Sequence, residues 1–204
     1  MAGRREKLKY DRNNLILEAA AKLFRREGYE TAKMASIATA CEISIGTIYN
    51  YYHNKGDLLV AIVAKEVHEV LQSGQEIVNS PPHDLTKAVT SLMDVYYNHS
   101  LVYLNKEMWR AAMSISTQQP QSPFGMAYSK LDVALTRQTC KLISKLKTLG
   151  LVRINCDTKA AGELIFNNLN MMFVGFVKSE NMTLASLRAQ VRKQTKLITT
   201  AISA

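Results

Sequence analysis

The chain has 204 residues, 47% of them hydrophobic and only four of them proline. That is enough apolar surface for a sizeable core, and it excludes a disordered chain. The formal charge of +9 favours an anionic partner, with nucleic acid first and an acidic membrane surface second. Cys41, Cys140 and Cys156 have neither metal-ligand spacing nor a disulfide framework, which suits a reducing cytoplasm. The apolar stretches at 15–24 and 169–177 are broken by Glu18, Lys22 and Asn170. They suit neither a secretory signal nor a membrane span, so the expectation is a soluble, cytoplasmic protein.

The chain opens on a basic stretch in which Arg4, Arg5, Lys7, Lys9 and Arg12 outnumber Glu6 and Asp11. Such a stretch is either a solvated tail or an arm on a DNA backbone. Leu15, Ile16, Ala19, Ala20, Leu23 and Phe24 then recur at helical spacing. They predict a first helix capped by Asp11 and stopped by Gly28. A short helix over 34–41 places Met34, Ile37, Ala38 and Cys41 on one face. Ser44 caps a third, ending near His53. A fourth starts at Lys55 and carries Leu58, Leu59, Ile62, Val63, Val67 and Leu71.

Pro81 and Pro82 interrupt the chain. Helices follow at about 85–98 and 101–116, then a Gln/Pro/Ser-rich loop at 117–123. A long helix spans about 124–149 and closes on Gly150. Asp157 opens the next, to Lys178, and Thr183 opens the last, to about Ile202. The fold class is therefore all-α with about nine helices. Residues 1–54 form a helix-turn-helix domain, and 55–204 form a larger helical domain.

The segment from Gly28 to Lys55 carries the chemistry. Two short helices meet at a turn pinned by Ile37, Ala38 and Ile43. Ile48 and Tyr52, four apart, face the core. Ile45, Gly46, Thr47, Tyr49, Asn50 and Tyr51 are left outward. A helix presented in this way fits the major groove of DNA.

This stretch resembles the DNA-binding domain of TetR-family transcriptional regulators. The resemblance rests on Gly28-Tyr29, Ile37-Ala38, the run Ser44-x-Gly-Thr-x-Tyr-x-Tyr-Tyr-x-Asn-Lys55, and Asp57-Leu58-Leu59. It covers about a quarter of the chain. It departs where Cys41-Glu42 replaces the usual small residue and glycine, where Lys33 replaces a capping Ser or Thr, and at the apolar Ile45. The resemblance implies a bacterial homodimer on a roughly palindromic operator, with the second short helix in the groove.

Lys33, Tyr51 and Lys55 are the candidate phosphate contacts. Thr47, Tyr49 and Asn50 are candidates for base edges or sugars, Asn50 through a bidentate pair with adenine. Ile45 suits a thymine methyl, and Gly46 permits close backbone approach. Ser44 completes the candidate DNA-binding set.

The body is rich in methionine and aromatic residues, each of which taken singly is more often core. The resemblance implies a cavity for a small inducer, with Tyr96, Met108, Trp109, Met113, Phe166, Asn170 and Phe173 as its candidate lining. Such a site suits an apolar or aromatic molecule bearing one or two polar groups. Ala161, Ile165, Leu169, Met172 and Phe176 make one helical stripe. Leu184, Leu187, Val191, Leu197 and Ile198 make another. Both suit either packing within the subunit or a four-helix dimer interface, and the resemblance favours the dimer.

No cofactor is implied. His53, His68, His83 and His99 are scattered, so a metal site is not expected. No Gly-rich phosphate loop or catalytic grouping stands out, so an enzyme is not expected either.

Overall fold

The computed structural model describes residues 2–204, apart from the side chains of Ala2 and Arg5. The basic stretch therefore includes one charge, Arg5, that lies outside the described residues. Nine helices are present among the described residues: α1 (Ala2–Glu27), α2 (Met34–Ala40), α3 (Ile45–Tyr49), α4 (Lys55–Asn79), α5 (Leu85–His99), α6 (Lys106–Gln118), α7 (Pro123–Thr148), α8 (Thr158–Lys178) and α9 (Leu184–Ile202). No helix among them is long and apolar enough to cross a membrane.

Most helix starts follow from side-chain caps. Asp84 accepts from Lys87 N–H, Asp157 from Lys159 and Ala160 N–H, and Thr183 from Ser186 N–H. Two boundaries differ from expectation. α1 begins at Ala2 rather than at Asp11, because Arg, Glu, Lys and Leu propagate a helix without any buried stripe. α6 begins at Lys106 rather than near Leu101, because the Asn105 side chain accepts from Met108 N–H at 2.9 Å and fixes the start there.

Packing divides the chain into two units that do not follow its order. The first holds the described residues up to Lys65 together with Val102–Tyr128, and the second holds Glu66–Leu101 with Ser129–Ala204. The first unit is built on Ile16, Ala20, Phe24, Ile37, Ile48, Leu58 and Leu59, each with no exposed surface. Phe24 meets Tyr29 edge-on at 5.2 Å. Between α1 and α2 the chain turns at Gly28 (φ +85°), and Tyr29 N–H donates to Glu107 Oε1 at 3.0 Å.

Glu42 has φ +54° in the α2–α3 turn and is the one positive-φ residue other than glycine among those described. A side chain held there costs about 1–2 kcal/mol. Glu42→Gly is therefore expected to stabilise the fold by about 1 kcal/mol, seen as a higher urea midpoint. An unchanged or lower midpoint would show the turn to be unstrained.

In the second unit α9 packs on both α5 and α8. The two apolar stripes assigned to a dimer interface mostly lie inside this unit. Ala161, Ile165, Leu169, Phe176, Leu187 and Val191 are buried, and Met172, Leu184 and Ile198 are half-buried. Of that set only Leu197 is exposed, at 74%. The outward apolar residues of α8 are instead Leu164 and Met171, at 56% and 70%. An amphipathic stripe goes first to the core of its own unit, and here a second, narrower stripe is left exposed.

Burial pushes the Asp132 carboxyl on α7 from 3.8 up to about 6. Between those values the folded chain holds a proton that the unfolded chain has released. Stability is therefore highest below about pH 4 on this account and falls as pH rises through about 6. Asp132→Asn is expected to stabilise the chain at neutral pH by on the order of 1–3 kcal/mol and to do little near pH 4. Equal midpoint shifts at both pH values would rule out titration as the cause.

Candidate nucleic-acid interface

Ser44 lies in extended backbone, and its Oγ accepts from Thr47 N–H at 3.1 Å, which fixes the start of α3. The same oxygen is 2.8 Å from Thr47 Oγ1. The turn before it closes through Ile43 N–H to the Ala38 carbonyl and Glu42 N–H to that of Thr39. Cys41 is small enough to be buried there, with Sγ 3.8 Å from the Leu15 carbonyl.

One side of the α3 segment is anchored. Ile48 is fully buried, Tyr52 is buried, and the Tyr52 hydroxyl donates to Asn13 Oδ1 of α1 at 2.6 Å. The other side is open. Ile45 and Tyr49 are 45% and 44% exposed, Ser44, Gly46 and Asn50 are exposed, and Thr47 and Tyr51 are half-buried. This inner and outer division matches the one expected from spacing alone. α3 itself is shorter than expected, with Asn50 as its C-cap and Tyr51 in a following turn.

The two lysines of the set differ. Lys33 is exposed and sits at the α2 N-cap with no side-chain bond. Lys55 Nζ donates to the carbonyls of Tyr29 (2.9 Å) and Glu30 (2.6 Å) and lies 5.1 Å from the centre of the Tyr29 ring. It therefore clamps the α1–α2 turn to the start of α4. Burial pushes the Tyr29 phenol beneath it up to about 12, with the Glu30 carboxylate adding to the shift.

Its neighbours serve the same junction. Asn54 Oδ1 accepts from Asp57 N–H, and Asp57 Oδ2 accepts from His53 N–H, both at 2.9 Å. This reciprocal pair resembles a capping box. Sequence reasoning recognised the Asn-Lys-x-Asp run but not this work. Its one legible signal was an Asn followed three residues later by an acid.

The candidate lining residues fall in both units. Met108, Trp109 and Met113 belong to the first, where Met108 and Trp109 are buried. Tyr96, Phe166, Asn170 and Phe173 belong to the second. There the Tyr96 hydroxyl donates to Gln138 Oε1 at 2.9 Å, and burial raises that phenol well above its usual range. Phe173 stacks on Tyr97 at 6.1 Å. Of the three asparagines on α8, Asn167 is exposed, Asn170 is half-buried, and the buried Nδ2 of Asn168 has no hydrogen-bond partner among the described residues. No group of His, Cys, Asp and Glu among the described residues is arranged to hold a metal ion.

Residues 16–62, which span α1, α2, α3 and the start of α4, match the family model described as bacterial regulatory proteins, tetR family. Over 94 residues the chain is 32% identical to the uncharacterized HTH-type transcriptional regulator YhgD of Bacillus subtilis, covering 45% of this chain and 49% of that one. It is 28% identical over 81 residues to the HTH-type transcriptional repressor KstR of Rhodococcus jostii, covering 40% of this chain and 38% of that one. The chain thus spans at most about half the length of these curated relatives. A wider structural likeness links it to the transcriptional regulator FadR of Bacillus subtilis in complex with stearoyl-CoA. There the TM-score is 0.68 at 17% identity, over 92% of this chain and 98% of that one. The chain is thus similar to the tetR family of bacterial regulatory proteins in sequence over residues 16–62, and beyond them the likeness is one of fold alone.

Proposed function

We propose that the chain is a sequence-specific DNA-binding transcriptional regulator and not an enzyme: a repressor that a small apolar or aromatic ligand releases from a palindromic operator. One observation carries this reading. Ile45, Gly46, Tyr49 and Asn50 stand exposed together on a segment whose opposite side is fixed by Ile48 and Tyr52. Thr47, Tyr49 and Asn50 contact base edges or sugars, Ile45 a thymine methyl, and Lys33 and Tyr51 phosphates. Ser44 holds the start of the helix, and Gly46 lets the backbone come close. Lys55 contributes its remaining donor while holding the turn behind the groove.

Two copies join through α8 and α9, using the outward Leu164, Met171 and Leu197. This sets the spacing of the two recognition helices. Leu164→Glu combined with Met171→Glu is expected to halve the mass in solution. A mass equal to that of the unaltered chain would place the interface elsewhere.

Of the candidate lining set, Tyr96, Phe166, Asn170 and Phe173, which share the second unit, line the ligand site. The stearoyl-CoA complex of a regulator with this fold supports a ligand with a long apolar part. Residues 1–54 act as the DNA-binding domain and 55–204 as the ligand-binding and dimerisation domain. α4 starts at that boundary, and the ligand favours a dimer geometry whose recognition helices no longer match the grooves.

The test is selection from random duplex DNA with the purified full chain, followed by a search for compounds that release the selected site. Two-fold symmetric half-sites about 34–36 Å apart or a multiple of that are expected. Selection that enriches no sequence would end the reading.

A further inference from the structure

α1 overhangs the domain it belongs to. From Ile16 onward one stripe of the helix, Ile16, Ala20 and Leu23, is buried in the first unit. Counted back at helical spacing, the same stripe continues as Arg12 and Lys9, both exposed. This stripe of the buried face thus changes from apolar to basic where its side chains become exposed.

The overhang is also registered against α3. Asn13, next to Arg12 and one turn after Lys9, accepts the hydroxyl of Tyr52, which is the residue that anchors the recognition segment. Arg4 and Lys7 fall on the opposite face with Asp11 and Glu18, all exposed. Glu6, in line with the buried Phe24, lies at the other edge of this face. Among the described side chains, the two charges that continue the Ile16 stripe are both positive, and the outer face is mixed.

We infer that the first three turns of α1 are a second DNA contact, in which Lys9 and Arg12 grip backbone phosphates beside the groove entered by α3. This rests on the DNA-binding reading above and adds to it. The occupant is duplex phosphate by charge complementarity, because the described side chains that continue the stripe are two flexible cations with no apolar group among them. Such contacts add affinity and salt dependence without reading bases.

The test is the affinity of the full chain for its selected duplex, measured between about 50 and 200 mM salt. Three proteins are compared: unaltered, Lys9→Gln with Arg12→Gln, and Arg4→Gln with Lys7→Gln. Gln is as good a helix former as Lys or Arg, and all four positions are exposed, so the fold is kept. The Lys9/Arg12 pair is expected to flatten the slope of log affinity against log salt by about 0.9 for each phosphate that is no longer neutralised, with base preference unchanged. The Arg4/Lys7 pair is expected to leave the slope near that of the unaltered chain.

An unchanged slope in the Lys9/Arg12 variant, with the unaltered chain still preferring its duplex, overturns the arm alone. Equal flattening in both variants also overturns it, since a diffuse field would then account for the effect. An unaltered chain that prefers no duplex overturns the DNA reading and the arm together.

Discussion

Tyr49→Ala is expected to weaken binding to the selected duplex by about a hundredfold or more and to leave the unfolding midpoint unchanged. Tyr49 is 44% exposed and anchors nothing in the core, so its removal leaves no cavity. A base contact contributes about 1–3 kcal/mol, and the proposed symmetric dimer would forfeit it twice. Ile48→Ala, one residue away, should do the reverse. Ile48 is fully buried, so its truncation costs about 2–5 kcal/mol of stability, and binding falls only as the folded fraction falls. Gel-shift affinity and a urea midpoint on both variants separate the two effects. A Tyr49→Ala protein with normal affinity removes Tyr49 from the interface. One with a lowered midpoint returns it to the core.

Gly162→Ala is expected to be among the most damaging single methyl additions in the second unit. A Cβ on Gly162 would lie 2.6 Å from Cys140 Cα and 2.9 Å from Cys140 N. α7 and α8 therefore touch backbone to backbone at this crossing, and neither chain can yield by rotating a side chain. Overpacking of this kind costs about 1–3 kcal/mol and at times more. Because α8 also carries the outward Leu164 and Met171, the shift should weaken self-association as well. The measurement is a urea midpoint at fixed protomer concentration. Adding Cys140→Ala is expected to give no rescue, since the nearest clashing atoms are backbone. Full rescue by Cys140→Ala would show that the thiol, 2.7 Å away, is the obstacle instead.

Several features were legible because they are local. The Asp157 and Thr183 caps, the Ser44 cap, the burial of Ile48 and Tyr52 and the exposure of Tyr49 and Asn50 all follow from short-range spacing and side-chain chemistry. The overhang of α1 was not legible, because hydrophobic periodicity reports burial and residues 4–12 bury none of their described side chains. The start of α6 was misplaced because Leu101, Val102 and Leu104 mimic the beginning of an amphipathic helix.

Other features needed partners distant in sequence. Lys55 reads as a surface cation until the Tyr29 and Glu30 carbonyls, some 25 residues earlier, are brought to it. Tyr29 N–H is satisfied by Glu107, 78 residues away, and no local pattern announces that bond. The stripes of α8 and α9 could serve one subunit or two, and only the packing of α9 on α5 and α8 assigned most of them to the subunit core. What the sequence determined by itself was the helical class, the helix-turn-helix and the outward face of α3. Caps and apolar spacing act within a turn or two and carry their own geometry. What only tertiary structure decided was which apolar stripe remains outside, what Lys55 holds, and how far α1 projects. Those depend on which distant segments meet, and a buried surface has no identity until its partner is in place.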